Sequence, residues 1–288
     1  SAVLITGTSI GGIGFEAARV MAKHANLVII TGYNPERHLL SEEAIKKDVP
    51  SATVRPLSLD LSSFASVRRA AAEVNEYPEP LHILIHNAAG GAASFKLTVD
   101  GLESQFATNH FGPFLLTKLL APKLLAVRTT SYVPRVVFVA SAAHARGPGV
   151  DFAMLRRPDP AAKYNTLMVY HQVKCANVTT AIELSRRAHG KLNAYSLHPG
   201  GKRVFLLSGS LTADGKPNTD THEWKTISQG AATTVAAAFD PRLNDKSGAY
   251  LVDSTEANDA VAPHCSDPTN GEKLWTITEE ITGEKFIF

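Results

Sequence analysis

Cysteine is nearly missing from this chain: Cys175 and Cys265 are its only two in 288 residues. Two thiols exclude a disulfide scaffold and a zinc site built from four thiolates. An excess of one charge is also lacking. Lys and Arg number 29 against 27 Asp and Glu, a net of +2, so no basic field exists to draw nucleic acid or anionic lipid. Long hydrophobic runs are absent too. The most apolar helix-like stretch, 111–127, is broken by Pro113, Lys118, Pro122 and Lys123, short of the ~20 apolar residues that span a bilayer. There is no repeat, low-complexity tract, charge block or linker-like break, so a single domain over 1–288 is expected where length alone allows two at roughly 150 residues each. What remains is 44% hydrophobic and 19% charged, the composition of a globular protein with a sizeable core, and a cytoplasmic location is expected. The chain opens at Ser1, not Met, so its natural start is expected to be trimmed.

Short apolar runs alternate with longer amphipathic ones. Residues 2–6, 26–31, 53–58, 82–86, 135–140, 192–197 and 248–252 read as strands, rich in Val, Ile and Leu with little apolar/polar alternation. Strands covered on both faces read this way. Between them, 14–23, 62–75, 101–125, 164–187 and 226–239 read as helices, while 146–162 and 208–221 read as loops. Such alternation predicts an α/β fold: a Rossmann-type, doubly wound parallel sheet of about seven strands.

Thr6-Gly7-Thr8-Ser9-Ile10-Gly11-Gly12-Ile13-Gly14 joins the first strand to the first helix. Glycines are needed where a pyrophosphate must lie against bare backbone, and the helix N-terminus supplies free N–H groups. Gly7-Thr8-Ser9-Ile10-Gly11 also matches the nucleophile elbow of a hydrolase, but an elbow follows several strands, and almost nothing precedes this one. At the second strand's end, Thr31-Gly32-Tyr33-Asn34 carries no acid to grip a ribose 2′-hydroxyl or repel a 2′-phosphate, which favours NADP(H) over NAD(H). Arg37 is the nearest cation.

Tyr170 and Lys174 lie four apart in a helical stretch, on one face. A phenol with a pKa near 10 is a poor acid–base group at neutral pH, and a neighbouring ammonium favours its phenolate at about 1.4 kcal/mol per unit. Ser141 closes an apolar strand, Asn87 closes another, and Asn109 lies in the next helical region. Beyond the carboxyl ends of parallel strands is where ligands bind, so these groups are expected to gather there.

The chain resembles the short-chain dehydrogenase/reductase family over nearly its whole length. The match is carried in order by 6–14; Asp60 with His86-Asn87-Ala88-Ala89; Asn109 and Ser141; and Tyr170, Lys174 and His198-Pro199-Gly200. The resemblance implies Tyr170 as general acid/base and Ser141 as holder of the substrate oxygen. It implies that Lys174 binds the nicotinamide ribose and lowers the Tyr170 pKa, and that Asn109 supports a water-linked proton relay. Asp60 and Leu61 would flank the adenine, with Gly7, Thr8, Ser9, Gly12, Ile13, Gly14, Tyr33, Asn34, Asn87, Ala88, Pro199 and Gly200 completing the cofactor site. The 29-residue step from Ser141 to Tyr170 is longer than in most members and is similar to the branch of retinol dehydrogenases and the WW-domain oxidoreductase, fungal members included. Val204 stands where relatives carry a carboxamide-holding threonine.

Two further readings concern substrate. Residues 201–225 are expected to form a lid whose Phe205, Leu206, Leu207 and Leu211, with Phe152, Met154 and Leu155, offer an apolar wall. Histidine is plentiful, yet no Cys/His spacing suits zinc and no metal is expected; His144 or His171 is a candidate substrate contact. Asn177-Val178-Thr179 spells a glycosylation triplet inside a helix and is discounted. The expected function is NADP(H)-linked interconversion of a carbonyl and an alcohol on a fairly hydrophobic small molecule, by a monomer or homodimer. The alternatives are a dinucleotide-binding sensor or scaffold, and the same fold turned to a non-redox biosynthetic step.

Overall fold

The computed structural model describes residues 1–90, 94–156, 158, 164–200 and 225–288. Eight strands among them form one sheet: β1 (Ala2–Ile5), β2 (Leu27–Gly32), β3 (Val54–Ser58), β4 (Ile83–His86), β5 (Arg135–Val139), β6 (Asn193–His198), β7 (Tyr250–Val252) and β8 (Thr255–Glu256), in the order 3-2-1-4-5-6-7-8. The first seven run parallel. The expected count of about seven is corrected by β8, which returns antiparallel along β7. Asp253 and Ser254 make that reversal with φ of 51° and 66°, the two positive values a two-residue hairpin loop needs.

The helices are α1 (Ile13–Met21), α2 (Pro35–Asp48), α3 (Phe64–Glu76), α4 (Ser104–Phe106), α5 (Gly112–Leu125), α6 (Phe152–Arg156), α7 (Thr166–Ala188), α8 (Ile227–Phe239), α9 (Pro263–Ser266) and α10 (Pro268–Thr282). A π-helical turn, Ala107–Phe111, joins α4 to α5. Several starts fall two or more residues later than expected because capping side chains sit at the ends. Ser63 accepts from the Ser66 N–H ahead of α3, and Asn165 accepts from the Met168 N–H ahead of α7. Thr226 and Gln229 form a reciprocal capping box on α8. The stretch 146–162, expected as loop, contains α6. The expected lid, about 201–225, lies outside the described residues but for Lys225, and with it Val204, Phe205, Leu206, Leu207 and Leu211.

Both faces of the sheet are covered, which is why the strands show no alternation. Val3, Ile5, Val28 and Ile30 point to one face, against Ala17 and Met21 of α1 and Ala231 and Ala237 of α8. Leu4, Ile29, Leu84 and Val136 point to the other, against Val67 of α3, Leu120 of α5 and Ala181 of α7. α10 closes over α7, where Leu274 and Ile277 meet Phe106 and Val173. Two buried histidines brace this layer. His86 Nε2 lies 2.7 Å from Thr117 Oγ1, and His110 Nε2 lies 2.8 Å from Thr278 Oγ1. Each threonine hydroxyl donates to a helix carbonyl, so each accepts from its histidine. No helix among the described residues is long and apolar enough to cross a membrane.

Candidate active site

The sheet order reverses between β1 and β4, and a crevice opens beyond their carboxyl ends, where doubly wound sheets bind ligands. Gly7 and Gly14 face inward. A Cβ on Gly14 would sit 2.2 Å from Asn87 Nδ2 and 2.4 Å from the Gly7 carbonyl, and one on Gly7 would sit 2.7 Å from Ala88 Cα. Asn87 fastens this contact: its Nδ2 donates to the Thr6 and Gly7 carbonyls at 2.9 Å each. Thr6 Oγ1 accepts from the Asn87 and Ala88 amides at 3.0 and 3.1 Å. Outward, the loop is bare. A Cβ on Gly11 would meet nothing within 4 Å, one on Gly12 only the Ser9 carbonyl, and Gly12, the N-cap of α1, offers no side-chain hydrogen bond to the helix. Open backbone and uncapped N–H groups at a helix start fit a pyrophosphate, so this cradle suits a dinucleotide. Ser9, the nucleophile of the discarded hydrolase reading, is exposed, and its carbonyl closes the turn on the Gly12 N–H.

At the end of β2, Tyr33 is 72% exposed. Asn34 caps α2, its Oδ1 accepting from the Arg37 N–H at 3.2 Å. Beyond β3, the exposed Asp60 carboxylate accepts from the Ser62 N–H and hydroxyl at 2.9 and 2.6 Å, while Leu61 is buried behind it. Beyond β6 come Pro199 and Gly200. Gly200 has φ of +89°, and a Cβ there would strike the Lys225 side chain at 2.4 Å; Lys225 is itself ion-paired with Asp253.

Ser141 lies just past β5. Its Oγ accepts from the Ala143 N–H at 3.2 Å, and the serine stands beside Tyr170 of α7. Burial pushes the Tyr170 phenol above its ordinary value, and the neighbouring Ser141 hydroxyl opposes that rise. One turn on, Lys174 is buried and donates to the Val139 carbonyl at 2.9 Å, with Nζ 5.6 Å from the Tyr170 ring centre. Burial brings its pKa down to about 8. The charge expected to lower Tyr170 is thus itself bound to a carbonyl, and the net push on Tyr170 is upward, because desolvation of the ring outweighs it.

Asn109 sits in the π turn, buried, its Nδ2 donating to the Gly90 and Gln105 carbonyls at 2.9 and 2.7 Å. Its Oδ1 has no partner among the described residues. The structure adds a residue the sequence reading passed over: Asn177 Nδ2 donates to the Asn109 carbonyl at 2.7 Å. Asn177 stands three places after Lys174 on α7, and that spacing was the signal available. Other expected contacts fall elsewhere. His144 is buried behind Ser141, with Nδ1 2.7 Å from the Ser141 carbonyl and Nε2 accepting from the Ala262 N–H at 3.4 Å; it supports the serine from below. His171 is buried, and neither ring nitrogen has a hydrogen-bond partner among the described residues. Leu155 is buried in the cluster between α7 and α10, and the half-buried Phe152 and Met154 pack against it.

A family model described as short chain dehydrogenase matches residues 1–151. The chain is 38% identical to short-chain dehydrogenase TIC 32 A, chloroplastic, of Brassica napus over 96% of its own length and 87% of that protein's. It is 33% identical to the WW domain-containing oxidoreductase of Danio rerio over 98% of its length and 68% of that protein's. Among solved structures, an uncharacterized protein from Mycobacterium paratuberculosis superposes with a TM-score of 0.75 at 28% identity, covering 100% of this chain and 95% of that one.

Proposed function

This chain belongs to the short-chain dehydrogenase family, and on that premise we propose that it interconverts a carbonyl and an alcohol on a fairly hydrophobic small molecule with NADP(H). The observation that carries the reading is Tyr170 standing beside Ser141, with the buried Lys174 one helical turn away and its Nζ 5.6 Å from the Tyr170 ring centre, at the same sheet edge as the glycine cradle. A bound dinucleotide would be held by the bare loop of Gly11 and Gly12 and the start of α1, and would supply or accept the hydride.

The chain's own groups handle the proton. Ser141 Oγ accepts from the Ala143 amide, so its hydrogen, which can face the Tyr170 oxygen, is the one it would give to a substrate oxygen. Tyr170, its pKa raised by burial, is protonated at neutral pH and is poised to donate to that oxygen as it becomes an alkoxide. Lys174, with a pKa near 8, is mostly charged at pH 7 and favours the phenolate left behind. Asn109, held by Asn177, keeps the π turn in place beneath them.

The preference for NADP(H) rests on the missing acid beyond β2, and on Tyr33, Asn34 and Arg37 standing there instead. The hydrophobic substrate is supported by Leu167 and Met168, both exposed just before Tyr170 on α7. The test is a binding titration of NADPH against NADH, followed by oxidation of each across ketones and aldehydes of graded hydrophobicity. Tighter NADPH binding and turnover that rises with apolar bulk are expected. Tighter NADH binding would overturn the cofactor assignment, and tight binding with no turnover on any carbonyl would overturn the enzyme in favour of a sensor. The Brassica relative is named as chloroplastic; a fluorescent tag on the full-length protein tests the cytoplasmic location expected here.

A further inference from the structure

Behind Ser141, away from the crevice, the fold brings the chain's only two cysteines together. Cys175 lies on α7 directly after Lys174, and Cys265 lies on α9. Both are buried free thiols. With His264 they form a triad whose ligand atoms all lie within 4.8 Å of one another. A tetrahedral ion with bonds of about 2.0–2.3 Å holds its ligands roughly 3.4–3.8 Å apart, so closing on an ion requires only small side-chain shifts.

A second feature stands beside the triad. An enclosed cavity of about 10 Å³ is lined by Cys175, His264, Thr179 and Asn270 together with apolar side chains. That is about the space of one water or one ion. The surroundings are those of a ligand set held in place. His264 Nε2 is 3.1 Å from the His144 carbonyl; donating there leaves the lone pair on Nδ1, and a carbonyl partner of this kind fixes the tautomer of a metal-bound imidazole. Thr179 Oγ1 donates to the Cys265 carbonyl at 2.9 Å, and Asn270 Nδ2 to the His264 carbonyl at 3.0 Å.

We propose that Cys175, His264 and Cys265 bind a single Zn²⁺, with a water in the adjoining cavity as fourth ligand. Two thiolates and one imidazole are the soft-to-borderline donors that this ion takes. Binding displaces both thiol protons to solvent, so each ion taken up releases two protons, and nothing is oxidised or reduced. The ion would tie α9 to α7 beside Lys174, and through the His144 carbonyl to the turn that carries Ser141. Spacing could not reveal the site, since ninety positions separate Cys175 from Cys265.

The test uses the full chain, purified under reducing conditions. Zinc content after gel filtration is expected to be one per chain. After the zinc is stripped with a chelator, Co²⁺ is expected to bind in its place and show a thiolate-to-metal charge-transfer band, which in this chain only Cys175 and Cys265 can produce. C175S and C265S are each expected to lose the band and the zinc, and T179V to weaken binding by roughly ten- to a hundredfold. Should the cysteine variants fail to fold, the wild-type cobalt spectrum decides alone. A cobalt complex without the thiolate band, sub-stoichiometric zinc, or zinc retained in a folded C175S/C265S double variant would overturn the site.

Discussion

At the carboxyl end of β1 the chain offers backbone; past β5 and along α7 it offers side chains. Gly7, Gly11, Gly12 and Gly14 work by what they lack, letting two loops touch on the inside while bare amides face outward. Ser141, Tyr170 and Lys174 would work by functional groups, and burial raises the pKa of Tyr170 and lowers that of Lys174. The two regions should therefore fail differently. The first should be sensitive to volume and indifferent to chemistry, and the second should be sensitive to single atoms at nearly constant volume.

The sharpest contrast is Ser141→Ala. It removes one oxygen, and with it the donor proposed for the substrate oxygen, so kcat should fall about 10²–10³-fold, as when one oxyanion donor is lost, with the NADPH dissociation constant unchanged in a fluorescence titration. A comparable loss of NADPH affinity would mean the two regions are not separable. Next in size is Gly14→Ala, whose Cβ would enter the space of Asn87 and the Gly7 carbonyl. Overpacking of about 1–3 kcal/mol should weaken dinucleotide binding by roughly tenfold, at about 1.4 kcal/mol per decade. Gly11→Ala has open space around it but a φ of +81°, so it carries only the left-handed backbone cost of about 1–2 kcal/mol, and its effect on affinity should be the smaller. The reverse order would break the picture of a loop tight inside and open outside.

A gentler probe is pH. Lys174 loses its charge as pH rises through about 8, and Tyr170 must be protonated to serve as the acid. The kcat/KM for carbonyl reduction should be flat through pH 7 and fall above about 8, and a rate still rising at pH 9 would contradict these roles. The smallest effect concerns stability. Burial lowers the pKa of His86 and His110 to about 3, against about 6.5 unfolded. The unfolded chain therefore binds more protons below pH 6.5, and stability present above that value is lost as pH falls towards 3. Urea unfolding at pH 7.5 and 5.5 should show a loss of up to about 1.4 kcal/mol for each histidine; equal stability at the two pH values would contradict it.

How much of this was legible in the sequence follows the same division. Most of the first seven strands could be read because they are covered on both faces and largely apolar; β3, Val-Arg-Pro-Leu-Ser at the sheet edge, is the least so. The glycine loop could be read because its constraint is local. Thr255-Glu256 could not be read as a strand: it is polar, two residues long, and exists only by pairing with β7. α2, which begins at Pro35 behind an Asn34 cap, and α10, which begins at Pro268 behind Asp267, carry start signals that were passed over. The catalytic side of the site was read by resemblance, but its supports were not. Asn177 on the Asn109 carbonyl and the cysteine–histidine cluster are meetings of residues far apart in the chain, and no window of sequence contains them; His144 is only three places after Ser141, but its bond to the Ser141 carbonyl depends on the short helical turn between them.

The central claim is that proton transfer lies with the Tyr170 hydroxyl and dinucleotide binding lies with the cradle of β1 and α1. Tyr170→Phe removes one oxygen from a ring that otherwise stays packed. Measured side by side on that variant, the NADPH dissociation constant and kcat for a reducible carbonyl decide the matter. The account predicts an unchanged dissociation constant and a kcat lowered by at least about 10²-fold, the lower end of general acid catalysis. A variant that turns over at the wild-type rate, or one that no longer binds NADPH, would contradict it.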